Sequence, residues 1–181
     1  MRTKIFQLDA FTTSRFSGNP AAVMPMERFL DDATLQAIAA ENNLAETAFL
    51  VKDKQGRDYR LRWFTPVTEV PLCGHATLAS AAVVMERLEP GRVGVTFHTA
   101  SGPLAVRRSA KGYVMDFPAR QFAQVRAPVV LLNAIGIEPH AVYVNEFNYL
   151  AVLDRATEVR MLQPDLAAIA CLDRSGRCLR P

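Results

Sequence analysis

The stretch Thr65–Val84, TPVTEVPLCGHATLASAAVV, decides how this chain folds. After Pro71 it sets Cys73, Gly74 and His75 in front of a run of small and branched apolar residues that meets no charge until Glu86. A segment that is apolar on nearly every face forms a helix only where protein surrounds it, so ATLASAAVVMERL predicts a buried central helix starting near His75. The unpaired N–H groups and the dipole at such a helix start favour an anion, whether a thiolate or a substrate carboxylate. Gly74, lacking a Cβ, permits close approach to the backbone.

Outward from this helix, the flanking patterns supply material for a surrounding sheet. Upstream, KIFQLDAF alternates as a half-buried strand, SRFSGNP is rich in turn residues, and AAVM resumes as a strand. Asp31 and Asp32 can cap a helix whose apolar positions Leu35, Ile38 and Ala39 follow helical spacing, with Asn42-Asn43 as its stop. ETAFLVK and DYRLRWFT read as strands around the turn DKQGRD. Downstream, GRVGVTFHT, GPLAVRR and GYVMDFP form three strands with glycine at each break, placed to wrap the buried helix.

After Pro118 the pattern restarts. A helix is expected from about Ala127, strands at HAVYVNEF and YLAVLD, and a short helix at PDLAAIACL with Pro164 in its first turn. Two helices and two strands are too few to enclose a core at the size where domains become self-sufficient. The tail CLDRSGRCLRP shows no strand alternation.

The 181 residues, 50% hydrophobic and 22% charged, have the composition of a folded globular protein. A formal charge of +3 is carried by scattered arginines, with no basic stripe interleaved with aromatics, which argues against a nucleic-acid partner. Three cysteines, Cys73, Cys171 and Cys178, are an odd number without framework spacing and point to reduced thiols and a cytoplasmic setting. Cys73 and His75 are too close in sequence for the usual metal-ligand spacings, and His98 and His140 stand in unrelated contexts. No apolar run approaches the roughly 20 residues that span a bilayer, and Arg2, Lys4 and Asp9 interrupt any signal segment, so no membrane association is expected.

Each chemical candidate has a plain alternative. Cys73 is either a small buried hydrophobe or a thiol at an anion-favouring helix start. His75 is either a structural hydrogen-bonding residue or a proton carrier. A Cys73-His75 nucleophile pair is disfavoured, because residues two apart at a helix start rarely present their side chains to each other. Glu46, in NNLAETAF between a helix end and a strand start, is either a solvated acid or a carboxyl that accepts and releases a proton in turn. SGNPAAV is a tight turn or a backbone N–H nest for a carboxylate.

Taken together and in order, DAFTTSRFSGNPAAV, NNLAETAFL, LRWFTPVTEVPLCGHATLASA and MDFPAR resemble the N-terminal half of the PhzF family, phenazine-biosynthesis-like isomerases related to diaminopimelate epimerase. The likeness continues more faintly through YLAVLD and PDLAAIA. It implies an α+β, diaminopimelate epimerase-like fold of two similar domains, each a curved mixed sheet around a central helix. Here that means residues 1–117 as the first domain, complete or nearly so, and 118–181 as part of a second. It further implies that Glu46 is the proton-transferring acid/base, that Gly74 and His75 line the site beside Cys73, and that Gly18, Asn19 and Pro20 lie by a small carboxylate-bearing substrate. No cofactor and no metal are implied.

The related epimerases use two thiols. Cys73 stands where their first would be, while neither Cys171 nor Cys178 lies in a matching second motif, which disfavours two-thiol chemistry. PhzF-like chains are also longer and carry a segment such as EDPVTGSAH that nothing here matches. The resemblance therefore implies isomerase chemistry that the 181-residue polypeptide alone performs weakly or not at all. The alternatives are a non-catalytic ligand-binding module, one pairing with a second copy as a homodimer, and a thiol-dependent epimerase using Cys73.

Overall fold

The computed structural model describes residues 3–14, 16–54, 56–172 and 176–180, the last five as backbone only. The chain divides into two compact units, Met1–Phe117 and Pro118–Pro181. Among the described residues, no helix is long and apolar enough to cross a membrane.

The first unit is a mixed sheet of eight strands curled around one helix. Its strands are β1 (Phe6–Ala10), β2 (Asn19–Met26), β3 (Glu46–Lys52), β4 (Tyr59–Phe64), β5 (Glu69–Val70), β6 (Gly94–Thr99), β7 (Gly102–Ser109) and β8 (Gly112–Met115). They are ordered β1-β2-β3-β4-β6-β7-β8, with β5 paired to β4. The β2–β3 and β4–β6 pairs are parallel and the others antiparallel.

Strand alternation sorts side chains to two faces. Ala21 and Val23 of β2, Ala48 and Leu50 of β3, Leu61 and Trp63 of β4, Val95 and Phe97 of β6, and Leu104 and Val106 of β7 point inward and form one core. That core closes on α2 (Gly74–Val83), the helix expected behind Cys73-Gly74-His75. Ala76, Ala79 and Ala81 are at most 3% exposed, and their small side chains let the sheet come close on several sides at once. Thr77 and Ser80 are buried with them because each hydroxyl donates back to the helix, to Cys73 O at 2.5 Å and to Ala76 O at 2.7 Å. Beyond Val83 the helix widens into a π-helical turn, Val84–Leu88.

On the outer face, Met24, Met26, Phe49, Val51 and Phe64 pack under α1 (Asp32–Asn42) through Leu35 and Ala39. Asp31 caps α1 by accepting from Thr34 N at 2.9 Å, and Asn43 ends it in the left-handed region at φ 47°.

The second unit is a sheet ordered β12-β11-β10-β9, formed by β9 (Ala123–Val125), β10 (Ala141–Val144), β11 (Asn148–Val152) and β12 (Gly176–Arg180). Its helices are α3 (Val129–Ile135), α4 (Ala156–Met161) and α5 (Leu166–Ala170). Leu131, Ile135, Val142 and Ala151 make its core.

Several expectations need correction here. Among its described residues the unit has three helices and four strands rather than about two of each: β9 is only three residues long, and α4 buries no residue whose periodicity would reveal it. The helix after Ala127 starts at Val129, since Pro128, at its N-cap, restricts the residue before it to extended backbone. Pro164 lies outside α5, because Asp165 is the N-cap and accepts from Ala167 N and Ala168 N. The tail pairs in parallel with β11 from Asn148↔Gly176 to Val152↔Arg180, a pairing that backbone groups make without side-chain alternation. Residues 173–175 and the side chain of Cys178 lie outside the described residues.

Candidate active site

The acid of NNLAET begins β3, and its position in the alternation decides where it points. Glu46 shares parity with Ala48 and Leu50, so its side chain enters the inner face toward α2. The next residue, Thr47, faces the other way and accepts from Asn42 Nδ2 at 3.1 Å. The parallel register sets Ala21 opposite Glu46, which brings Asn19 and Pro20 at the start of β2 beside the start of β3. On the other flank Thr47 pairs with Phe64, so Thr65 follows directly across from Glu46. Thr65 is held by Gln36 Nε2, which donates to its carbonyl at 2.9 Å, and its hydroxyl accepts from Val67 N and Thr68 N.

The start of α2 meets Glu46 there. His75 Nε2 lies 3.0 Å from Glu46 Oε2, and His75 Nδ1 lies 3.5 Å from Cys73 Sγ. The His75 side chain is 9% exposed and that of Glu46 19%. Both facing atoms are sealed from solvent and not aligned for a linear hydrogen bond, so they attract as a close ion pair. Burial presses the imidazole toward its neutral form, but Cys73 against Nδ1 and Glu46 against Nε2 outweigh this and hold it up at about 10. Oε2 is turned to His75 and sealed, so the 19% exposure of the Glu46 side chain belongs to its other atoms.

This corrects the expectation that Cys73 and His75 would not face each other. Cys73 is the N-cap of α2 with extended backbone, φ −143° and ψ 121°, and a side chain there folds back over the first turn, where His75 stands.

Glu46, Cys73 and His75 present donor atoms within 4.8 Å of one another. The arrangement suits a proton relay better than a chelate. The imidazole sits between the other two groups with one nitrogen toward each, the geometry in which a proton passes from one side of the ring to the other.

The two glycines differ. A Cβ at Gly18 would lie 2.5 Å from Ala10 O and 2.6 Å from Thr12 Cγ2, so the turn closes only without a side chain. Its φ is not positive, and Asn19 and Pro20 belong to β2 rather than to a turn, so close approach and not an unusual backbone conformation explains this glycine. A Cβ at Gly74 would meet only Met115 Cε and Phe117 Cζ, each at 3.8 Å, an ordinary contact. The fold does not demand glycine there.

Residues 8–178 match the PhzC-PhzF family of phenazine biosynthesis-like proteins. This chain belongs to the PhzF family.

An uncharacterized isomerase of Pseudomonas aeruginosa is 49% identical over 178 residues, covering 97% of this chain and 67% of that protein. The crystal structure of a PhzF-family phenazine biosynthesis protein from Enterococcus faecalis superposes with a TM-score of 0.85 at 39% identity, covering 96% of this chain and 66% of that one. A predicted epimerase of Pseudomonas aeruginosa, 25% identical, superposes with a TM-score of 0.73 over 99% of this chain and 70% of its own. The PhzF-family chain thus spans about two thirds of the length of these relatives. Its fold is the α+β epimerase-like one, with the curled mixed sheet around α2 that the resemblance implied.

Among the residues singled out in the sequence, the structure clusters Glu46, Cys73 and His75, with Gly74 between the last two and Gly18, Asn19 and Pro20 one strand away. It adds Thr65 with its anchor Gln36, and Phe117 and Met115 beside Gly74. The signal for Thr65 was present in TPVT, whose first threonine closes its own turn. A cavity of about 910 Å³ in the first unit lies elsewhere, against the outward residues Arg60 and Arg62 of β4 and away from Glu46.

Proposed function

We propose that this chain is an isomerase that moves a proton within a small carboxylate-bearing metabolite without a cofactor, with Glu46 as the group that takes and returns it. The observation that carries this is the Glu46–His75 pair: Oε2 faces an imidazolium 3.0 Å away while the Glu46 side chain keeps 19% exposure. A carboxylate so placed abstracts a proton next to an activated carbon, and the resulting carboxylic acid redelivers it to another carbon on the same face. The imidazolium stabilises the carboxylate between turnovers, and the bare backbone at Gly74 and the first N–H groups of α2 offer a seat for the substrate carboxylate. The names of the curated relatives, isomerase among them, agree with this reaction class.

The test is incubation in heavy water with a dihydro-hydroxyanthranilate-type compound, followed by proton NMR. Deuterium incorporation into the substrate is expected, and Glu46→Gln abolishes it. Incorporation that survives Glu46→Gln overturns the reading. Because Cys73 touches His75, a thiol-dependent epimerase is the second reading, and incorporation lost in Cys73→Ser but kept in Glu46→Gln would establish it in place of the first.

A further inference from the structure

Two helix starts in this protein carry the usual side-chain cap. Asp31 accepts from Thr34 N at α1, and Asp165 accepts from Ala167 N and Ala168 N at α5. Cys73, the N-cap of α2, makes no such bond. Its sulfur turns instead to the ring of His75, the second residue of the helix, at 3.5 Å from Nδ1. Cys73 is only 7% exposed and belongs to the inner core, where a thiol without a polar partner would be an inert hydrophobe.

We propose that Cys73 is a positioning residue: by occupying Nδ1 it sets the orientation and proton placement of His75, so that an Nε2–H always faces Glu46. This rests on the reading of Glu46 as the acid/base group.

Imidazole carries one ring proton when neutral and two when charged. When His75 is neutral, the thiol S–H donates to Nδ1 and the ring proton must sit on Nε2, toward Glu46. When His75 is charged, Nδ1–H donates to sulfur and Nε2–H again faces Glu46. A ring flipped by 180° would lose both contacts, so the thiol removes the alternative orientation. Without it, Nδ1 would be a buried nitrogen with no partner, beside an Nε2 that already lacks an aligned one. The titratable groups that face the ring are Glu46 from β3 and Cys73 from the start of α2; no other His, Cys, Asp or Glu joins this cluster among the described residues.

The experiment reads His75 itself and needs no turnover. Ring nitrogens of the ¹⁵N-labelled 181-residue chain are followed by NMR against pH, with His75 told apart from His98 and His140 by His75→Gln. In the wild type, His75 should titrate above the ordinary histidine value, with its neutral form showing a single Nε2–H tautomer. Cys73→Ala should lower the His75 midpoint by about one pH unit or more and mix the tautomers, the scale on which one hydrogen-bonding partner moves a pKa. Cys73→Ser, which keeps a donor and acceptor on a shorter arm, should fall between. Unchanged midpoint and tautomer in Cys73→Ala overturn the proposal. Should that variant fail to fold, Cys73→Ser gives the readout alone, with a His75 midpoint and tautomer unmoved in it again overturning the proposal. Loss of heavy-water exchange in the native chain would refute the acid/base reading while leaving these ring signals as they are, so the two failures are distinguishable.

Discussion

Glu46 Oε2 and His75 Nε2 face each other at 3.0 Å, both shut off from solvent, across the gap between the first residue of a strand and the second residue of a helix. Neither residue could be held there by its own element alone. The strand parity of β3 turns the carboxyl inward, and the curl of the sheet around α2 brings the helix start to meet it.

Replacing Glu46 with Gln removes the charge opposite a buried imidazole while preserving shape. The His75 titration should fall toward the ordinary value. The free energy of unfolding at pH 7 should drop by about 1–3 kcal/mol, measured by urea unfolding of the two proteins side by side.

The His75 shift also sets a sign for pH dependence. A folded-state value of about 10 against 6.5 unfolded means the pair stabilises the fold fully below about pH 6.5, and this contribution fades as pH rises through about 10. The stability difference between wild type and His75→Gln should therefore be largest near pH 6 and shrink steadily on the alkaline side. A difference that grows with pH would contradict the pairing.

At the other end of α2, Glu89 accepts from Tyr59 Oη at 2.7 Å and pairs with Lys52 at 2.7 Å and Arg92 at 2.8 Å. Burial raises its pKa, but these three partners outweigh that and bring it down to about 2. A depressed carboxylate gives stability above its unfolded value of 4.5 that is lost as pH falls through about 2. Glu89→Gln should flatten the acid limb of the thermal-stability profile.

Gly18 and Gly74 should respond in opposite ways to alanine. At position 18 the new methyl meets backbone at 2.5 Å, and a loss of about 1–3 kcal/mol is expected. At position 74 the methyl makes ordinary contacts, so stability should stay within about 0.5 kcal/mol while proton exchange falls, because the methyl occupies the space that a ligand would need. Thermal melts and heavy-water exchange on both variants separate these effects.

Ala76, fully buried where the sheet wraps α2, tests the central-helix packing. Ala76→Leu should cost about 1–3 kcal/mol by overpacking, seen as a lower urea midpoint without a change in slope.

Much of the first unit was legible because each of its elements announces itself locally. The Asp31 cap, the Asn43 stop, the strand-favouring residues of ETAFLVK and the glycines at 102 and 112 (φ 96° and 122°) act within a few residues of where they stand. The second unit was less so. Its strands are short, α4 buries nothing, and β12 joins through backbone groups, for which sequence carries no periodic mark.

The sequence by itself determined that the run after His75 must be a buried helix, since so many small apolar side chains find no stable place against water, and its ordered motifs pointed to the family. It also put Glu46 at a strand start, where parity can aim a carboxyl. Only the tertiary structure decided that Cys73 turns to His75 and that His75 meets Glu46. Those contacts depend on the N-cap backbone angles and on the curvature of a sheet closed by residues tens of positions apart, geometry that no local pattern encodes.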